Sequence, residues 1–152
     1  MGVSSSGMSE ADYTRFTHTF TLALATTLYE LNPSMTFNYV SGMGTDSSEK
    51  GRSMWARVKG KTENDVLKLG FQQAFMFRPG MIVPEKGVQA SAKLYRFFFK
   101  YLTWLVKLMK KLAPKSVVDT IQIGHAMINI TRNGYEKTII DPVDIQVLAA
   151  QK

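Results

Sequence analysis

The stretch from Met35 to Gly80 constrains the fold most, because it reads as strand, helix and strand joined by short turns. "MTFNYVSG" is short, β-branched and aromatic, and it is bounded by Pro33 and Gly42 as a buried strand is. "GMGTDSSEKG" is rich in turn formers. "RSMWARVKGKTENDVLKLG" then returns Met54, Val58, Val66 and Leu69 at helical spacing and closes on Gly70. "FQQAFMFRPG" is a second strand that runs into Pro79-Gly80. Two strands joined through a helix pair in parallel, since the crossover returns the chain to the end of the sheet where it began. The pattern predicts α/β architecture, with strands near residues 36 to 41 and 73 to 78. The helix over residues 52 to 69 crosses between them, right-handed by the strong bias of such units.

The flanking segments are mainly helical. "SEADYTRFTHTFTLALATTLYELNP" has Ser9 to cap it, Glu10 and Asp12 at the positive end of the dipole, and Phe16, Phe20, Leu24, Leu28 and Leu31 at helical spacing; Asn32-Pro33 stops it. "KLYRFFFKYLTWLVKLMKKLAP" reads as a long aromatic, basic helix ended by Pro114. "VVDTIQIGHAMINITRNG" reads as another, ended by Asn133-Gly134, and "KTIIDP" as a short strand. The expectation is a single domain over 1–152, with a Rossmann-like part over 1–84 and a mainly helical, substrate-side part over 85–152.

Composition narrows the classes. The chain has 152 residues, 45% apolar and 20% charged, as a globular domain with a sizeable core does. It has no cysteine, which excludes disulfides, thiolate metal sites and cysteine nucleophiles. His18 and His125 fall on separate helices without partners at ligand spacing, so no metal is expected. No leader-like segment opens the chain and no window reaches about 18 uncharged apolar residues, which makes the cytoplasm the default compartment.

The formal net charge of +7 raises nucleic acid as a partner, but Lys93, Arg96, Lys100, Lys107, Lys110, Lys111 and Lys115 carry that excess in one helical segment. The same segment spreads Phe97, Phe99, Tyr101 and Trp104 most of the way round the helix. Such a helix suits a lid packed over a cleft, burying Phe98, Leu102 and Leu105 while Lys100, Lys107 and Lys111 stay wet, better than a nucleic-acid patch. A membrane-surface helix, with peripheral attachment, is the competing reading.

Other motifs are local. Gly42 and Gly44 give G-x-G between strand and helix, but Ser47 stands where a third glycine would, so a wide turn is expected. Asp141 and Asp144 flank Pro142 and read as turn chemistry.

Taken in order, a strand ending in Val40-Ser41-Gly42, a helix carrying "ARVKGKTE", a strand ending in Arg78-Pro79-Gly80 and a late helix with "IGHAM" resemble the atypical and extended short-chain dehydrogenase/reductase superfamily. These are the NAD(P)-binding, epimerase/dehydratase-like proteins. The resemblance runs from Gly2 to about Asp144, with "GVSSSG" similar to the loop after the family's fourth strand. It implies a partial Rossmann-like, doubly wound parallel sheet, and NAD or NADP as cofactor for an unknown small-molecule substrate. In that family a serine, a tyrosine and a lysine in Tyr-x-x-x-Lys perform the chemistry. By position Ser41 matches the serine and Lys59 the lysine, while Trp55 stands where tyrosine is expected. An indole N–H is a donor only and cannot act as general acid or base.

The resemblance implies cofactor contacts at Val3, Ser4, Lys59, Arg78, Pro79, Gly80 and Met81. It also implies that the family's glycine-rich first half should precede "GVSSSG", where Met1 stands. The expectation is therefore weak or absent cofactor binding by this chain alone, impaired or absent catalysis, and self-association through an uncovered sheet edge. A non-enzymatic protein using the helix over 93–115 against a membrane surface or protein partner is the second reading.

Overall fold

The structure is a computed structural model that describes residues 3–83 and 114–151. The expected basic helix over 93–115 lies, but for its last two residues, outside the described residues. In chain order the elements are α1 (Glu10–Thr14), a π-helical turn (Arg15–Thr19), α2 (Phe20–Leu31), β1 (Thr36–Val40), α3 (Met54–Lys68), β2 (Gln73–Phe77) and β3 (Met81–Val83). A 3-10 turn (Pro114–Ser116), β4 (Val117–Asp119), α4 (Thr120–Asn133), β5 (Ile139–Ile140) and α5 (Pro142–Ala149) follow. The protein is mixed α/β with small parallel sheets. It divides into two compact units, Met1–Arg78 with Glu136–Ile139, and Pro79–Tyr135 with Ile140–Lys152.

In the first unit the expected strand, helix and strand are present. β1 and β2 pair in parallel, from Thr36 opposite Gln73 to Val40 opposite Phe77, and the sheet order is β1-β2-β5. The N–H of Met76 donates to the Thr138 carbonyl at 2.8 Å. Ser9 caps α1 by accepting the Asp12 N–H at 3.1 Å, satisfying one of the donors that a helix start leaves open. The single helix expected as far as Leu31 is interrupted by the π turn, a wider coil that advances the helix face. Tyr13, Thr17 and Ala25 turn inward, while Phe16, Phe20, Leu24 and Leu31 are exposed. The core joins Ala25 to Phe37, Val66, Phe71, Ala74 and Met76. Phe71 stacks on Phe37 at 5.1 Å and meets the Tyr29 ring edge-on at 5.3 Å.

The loop from β1 to α3 is built on Asp46. Its carboxylate accepts the N–H groups of Ser48 at 3.0 Å and Gly51 at 2.6 Å, while its own N–H donates to the Ala56 carbonyl at 3.0 Å. Hydrogen bonds from Ser48 and then from the Gly51 N–H hold the Asp46 carboxyl below its ordinary range. The loop lies directly on α3 at Gly60, where a Cβ would stand 1.8 Å from the Asp46 carbonyl oxygen. That contact requires glycine.

The second unit corrects two expectations. Val117–Asp119 is not the start of a helix but β4, paired in parallel with β3, Met81 opposite Val117 and Val83 opposite Asp119. Asp119 instead begins α4: its carboxylate accepts the Gln122 N–H at 2.7 Å, and the Gln122 side chain accepts the Asp119 N–H at 2.9 Å. Asp141 and Asp144 are likewise a helix start and not a free turn, with Asp144 accepting the Asp141 N–H at 3.2 Å and Pro142 as the first residue of α5. α4 and α5 pack together through Ala126, Ile130, Ile145 and Leu148, all fully buried. Asn129 ties them by donating to the Leu148 carbonyl at 2.9 Å. Among the described residues no helix is long and apolar enough to cross a membrane.

Candidate functional site

Parallel pairing continues one residue past β1, since the Ser41 N–H donates to the Phe77 carbonyl at 2.8 Å. This brings the ends of β1 and β2 beside α3, where Trp55, Lys59 and Glu63 recur every fourth residue along the helix. Lys59 Nζ donates to the Ser41 carbonyl at 2.5 Å. The Ser41 hydroxyl lies 2.5 Å from Glu63 Oε1. A carboxylate only accepts, so the serine proton points at Glu63 and Ser41 is held from both sides.

Glu63 is 0% exposed, although it sits in a helix stretch that reads as polar. Arg78 at the end of β2 pairs with it: Nε lies 3.1 and 3.2 Å from the two carboxylate oxygens, and Nη2 also donates to it. Nη2 lies 2.5 Å from Ser47 Oγ in the loop as well. A buried acid is tolerated here because a planar, two-pronged partner and a hydroxyl satisfy its lone pairs.

Lys59 is different. Among the described residues no carboxylate lies within ion-pair distance of Nζ. Burial lowers its pKa from the ordinary lysine value, and the charge of Glu63 opposes that shift. Lys59 also lines a groove of about 480 Å³, together with Thr21 and Leu24 of α2 and the strand from Phe37 to Ser41. Tyr39 lines the same groove. Burial, opposed by a hydrogen bond with Thr62, pushes its phenol up to about 12, so it stays protonated at neutral pH.

The sequence pairing of Ser41 with Lys59 is therefore a spatial one. Trp55 does not line the groove; its ring lies against the loop at Gly44, where a Cβ would stand 3.5 Å from Cη2 and where φ is +89°. Arg78 points to Glu63. Val3 is half-buried, and Ser4 is exposed with its hydroxyl accepting the Ser6 N–H at 3.2 Å. Pro79, Gly80 and Met81 belong to the second unit, where a Cβ on Gly80 would stand 2.2 Å from the Ser116 carbonyl oxygen. Sequence reasoning passed over Glu63 and Tyr39. A glutamate four residues after Lys59 and an arginine closing β2 were the available signal for the first; nothing in the local pattern marks the second.

His18 is not a ligand to anything described. Its Nε2 lies 2.8 Å from Asp65, which also holds Lys61 and Lys68 at 2.9 Å each. Burial raises the Asp65 pKa, but hydrogen bonds from Lys61, Lys68 and His18 outweigh it and hold the carboxyl well below the usual carboxylate range. Among the described residues no three acidic, histidine or cysteine side chains gather as a metal site would need. His125 is exposed on α4.

Two shifted groups at the groove give opposite dependences on alkaline pH. Lys59 binds its proton less well folded than unfolded, so stability rises with pH through its folded pKa towards 10.5. Tyr39 holds its proton better folded, so the stability it contributes is complete below 10.0 and is lost towards about 12. Thermal melts between pH 8 and 12 are expected to show the rise removed in Lys59→Met and the fall reduced in Tyr39→Phe. Superimposable pH profiles for these variants and the wild type would contradict both assignments.

No family model matches the chain. Over 110 residues it is 28% identical to "Protein FMP52, mitochondrial" of Candida albicans. The match covers 70% of this chain and 44% of that protein, so the chain spans less than half the length of the relative it matches.

Proposed function

We infer that the chain is part of an NAD(P)-binding, epimerase/dehydratase-like protein of the atypical short-chain dehydrogenase/reductase kind, which holds nucleotide without acid–base catalysis. The parallel unit of β1, α3 and β2 is read as a piece of a Rossmann-like sheet. The observation that carries this reading is Lys59 Nζ on the Ser41 carbonyl, an ammonium with no carboxylate within ion-pair distance among the described residues, on a side chain that lines a groove. Its remaining N–H donors fit the hydroxyls of a nicotinamide ribose.

A bound cofactor would supply the hydride; the residues here supply binding and orientation. Proton transfer is a different matter. Trp55 does not ionise, the Ser41 proton is committed to Glu63, and the raised pKa of Tyr39 makes it a poor donor. The side chains therefore fit retention of a nucleotide better than turnover. Weak NADH or NADPH binding that depends on Lys59 is the expected outcome, and calorimetry checks it. For the compartment we keep the cytoplasm. The name of the fungal relative gives mitochondria for that protein, and cell fractionation decides between the two.

A further inference from the structure

Among the described residues that line it, the groove beside β1 has one charge and one apolar wall. Lys59 supplies the charge, and among the described residues no carboxylate lies within ion-pair distance of Nζ. Glu63, four residues on, is fully buried and matched by Arg78, so among the described residues that line the groove the charge is a single positive one. Phe37, Val40 and Leu24 form the apolar wall, and Leu24 is 58% exposed, a large aliphatic side chain with much of its surface still wet. A volume of about 480 Å³ lies within the range of small-molecule sites.

We propose that this groove binds a small amphipathic monocarboxylate, its carboxylate on Lys59 Nζ and its apolar body along Leu24 and Val40. A monoanion matches the single charge among the described lining residues, and a second negative charge seated beside Lys59 itself would have no partner among them. Burial disfavours the ammonium in the free protein, so an arriving carboxylate restores what desolvation removed; charge-assisted hydrogen bonds in such places are the strong ones. The site does not depend on the nucleotide reading, because it needs neither ribose nor phosphate.

Octanoate, 1-octanol and octylamine share one apolar body and differ in head group, which makes them suitable probes for calorimetry or ligand-observed NMR. Octanoate is expected to bind the wild-type chain at least about tenfold more tightly than either of the others. Lys59→Met, which keeps the stem and removes the charge, should lose that preference, and Lys59→Arg should keep most of it. Leu24→Ser, at a position 58% exposed, should weaken all three probes several-fold. Equal affinity for octanoate and octanol in the wild type overturns the proposal without any variant, and so does octanoate binding unchanged in Lys59→Met or Leu24→Ser. NADH titrated into the same variants reads the nucleotide proposal separately. Lys59-dependent NADH binding beside absent octanoate binding would sink this inference and leave that one standing.

Discussion

Arg78→Met is expected to cost about 3–5 kcal/mol of folding stability, the usual loss when one partner of a buried ion pair is removed. Glu63 has no exposed surface, and without the guanidinium the Ser41 hydroxyl is the one hydrogen-bond partner left to its carboxylate among the described residues. The loss therefore comes from a stranded charge more than from a missing contact. Chemical denaturation of three proteins separates the two: Arg78→Met alone should be severely destabilised, while Glu63→Gln with Arg78→Met should recover a large part of the loss. A single variant within about 1 kcal/mol of wild type would mean that Glu63 reaches water or another cation. Because Ser41 is held by the same carboxylate, the variant is also expected to loosen the end of β1 and weaken anything that binds at Lys59.

Gly60→Ala is the second large effect, and its sign opposes the usual rule. At an open helix position Gly→Ala stabilises by up to about 1 kcal/mol. Here the new methyl would fall 1.8 Å from the Asp46 carbonyl oxygen and 2.5 Å from its carbon, both backbone atoms that cannot rotate aside. The loop must lift from α3, which strains the bond from the Asp46 N–H to the Ala56 carbonyl and the carboxylate turn built around it. A net loss of about 2–3 kcal/mol is expected from overpacking of this kind. Gly124→Ala on α4 is the internal control, since a Cβ there meets nothing within 4 Å and should stabilise slightly. Equal thermal shifts for the two variants would contradict the close approach at Gly60.

The parallel unit was legible in the sequence because its signals are local: short β-branched and aromatic runs bounded by Pro and Gly, and a helix period between them. β1 and β2 each end one residue short of the expectation, although the Ser41 N–H still donates to the Phe77 carbonyl beyond β1. The Ser9 cap was legible for the same reason. The π turn was not, since Arg15–Thr19 has an ordinary helical composition and the wider coil is decided by packing. β4 was lost because Val117-Val118 runs without a break into a helical pattern, although Asp119 and Gln122 at capping distance mark the true start. Asp141 and Asp144 were read through Pro142, which suits a first helical residue as well as a turn.

At the site, the order of motifs was enough to join Ser41 to Lys59. The buried acid between them was hidden, because helical amphipathicity assigns a glutamate to solvent unless its cation is known. That cation comes from the residue just after β2, 15 residues along the chain.

We propose Lys59 as the main anchor for nucleotide, in a groove without a second charged donor among the described residues that line it. One charged hydrogen bond contributes about 1.5–3 kcal/mol, too little alone for micromolar affinity. Calorimetric titration of NADH and NADPH into the wild-type chain and Lys59→Ala tests this directly. A dissociation constant weaker than about 100 μM, raised at least about tenfold by the substitution, is the predicted result. A low-micromolar constant, or one that Lys59→Ala leaves unchanged, would contradict it.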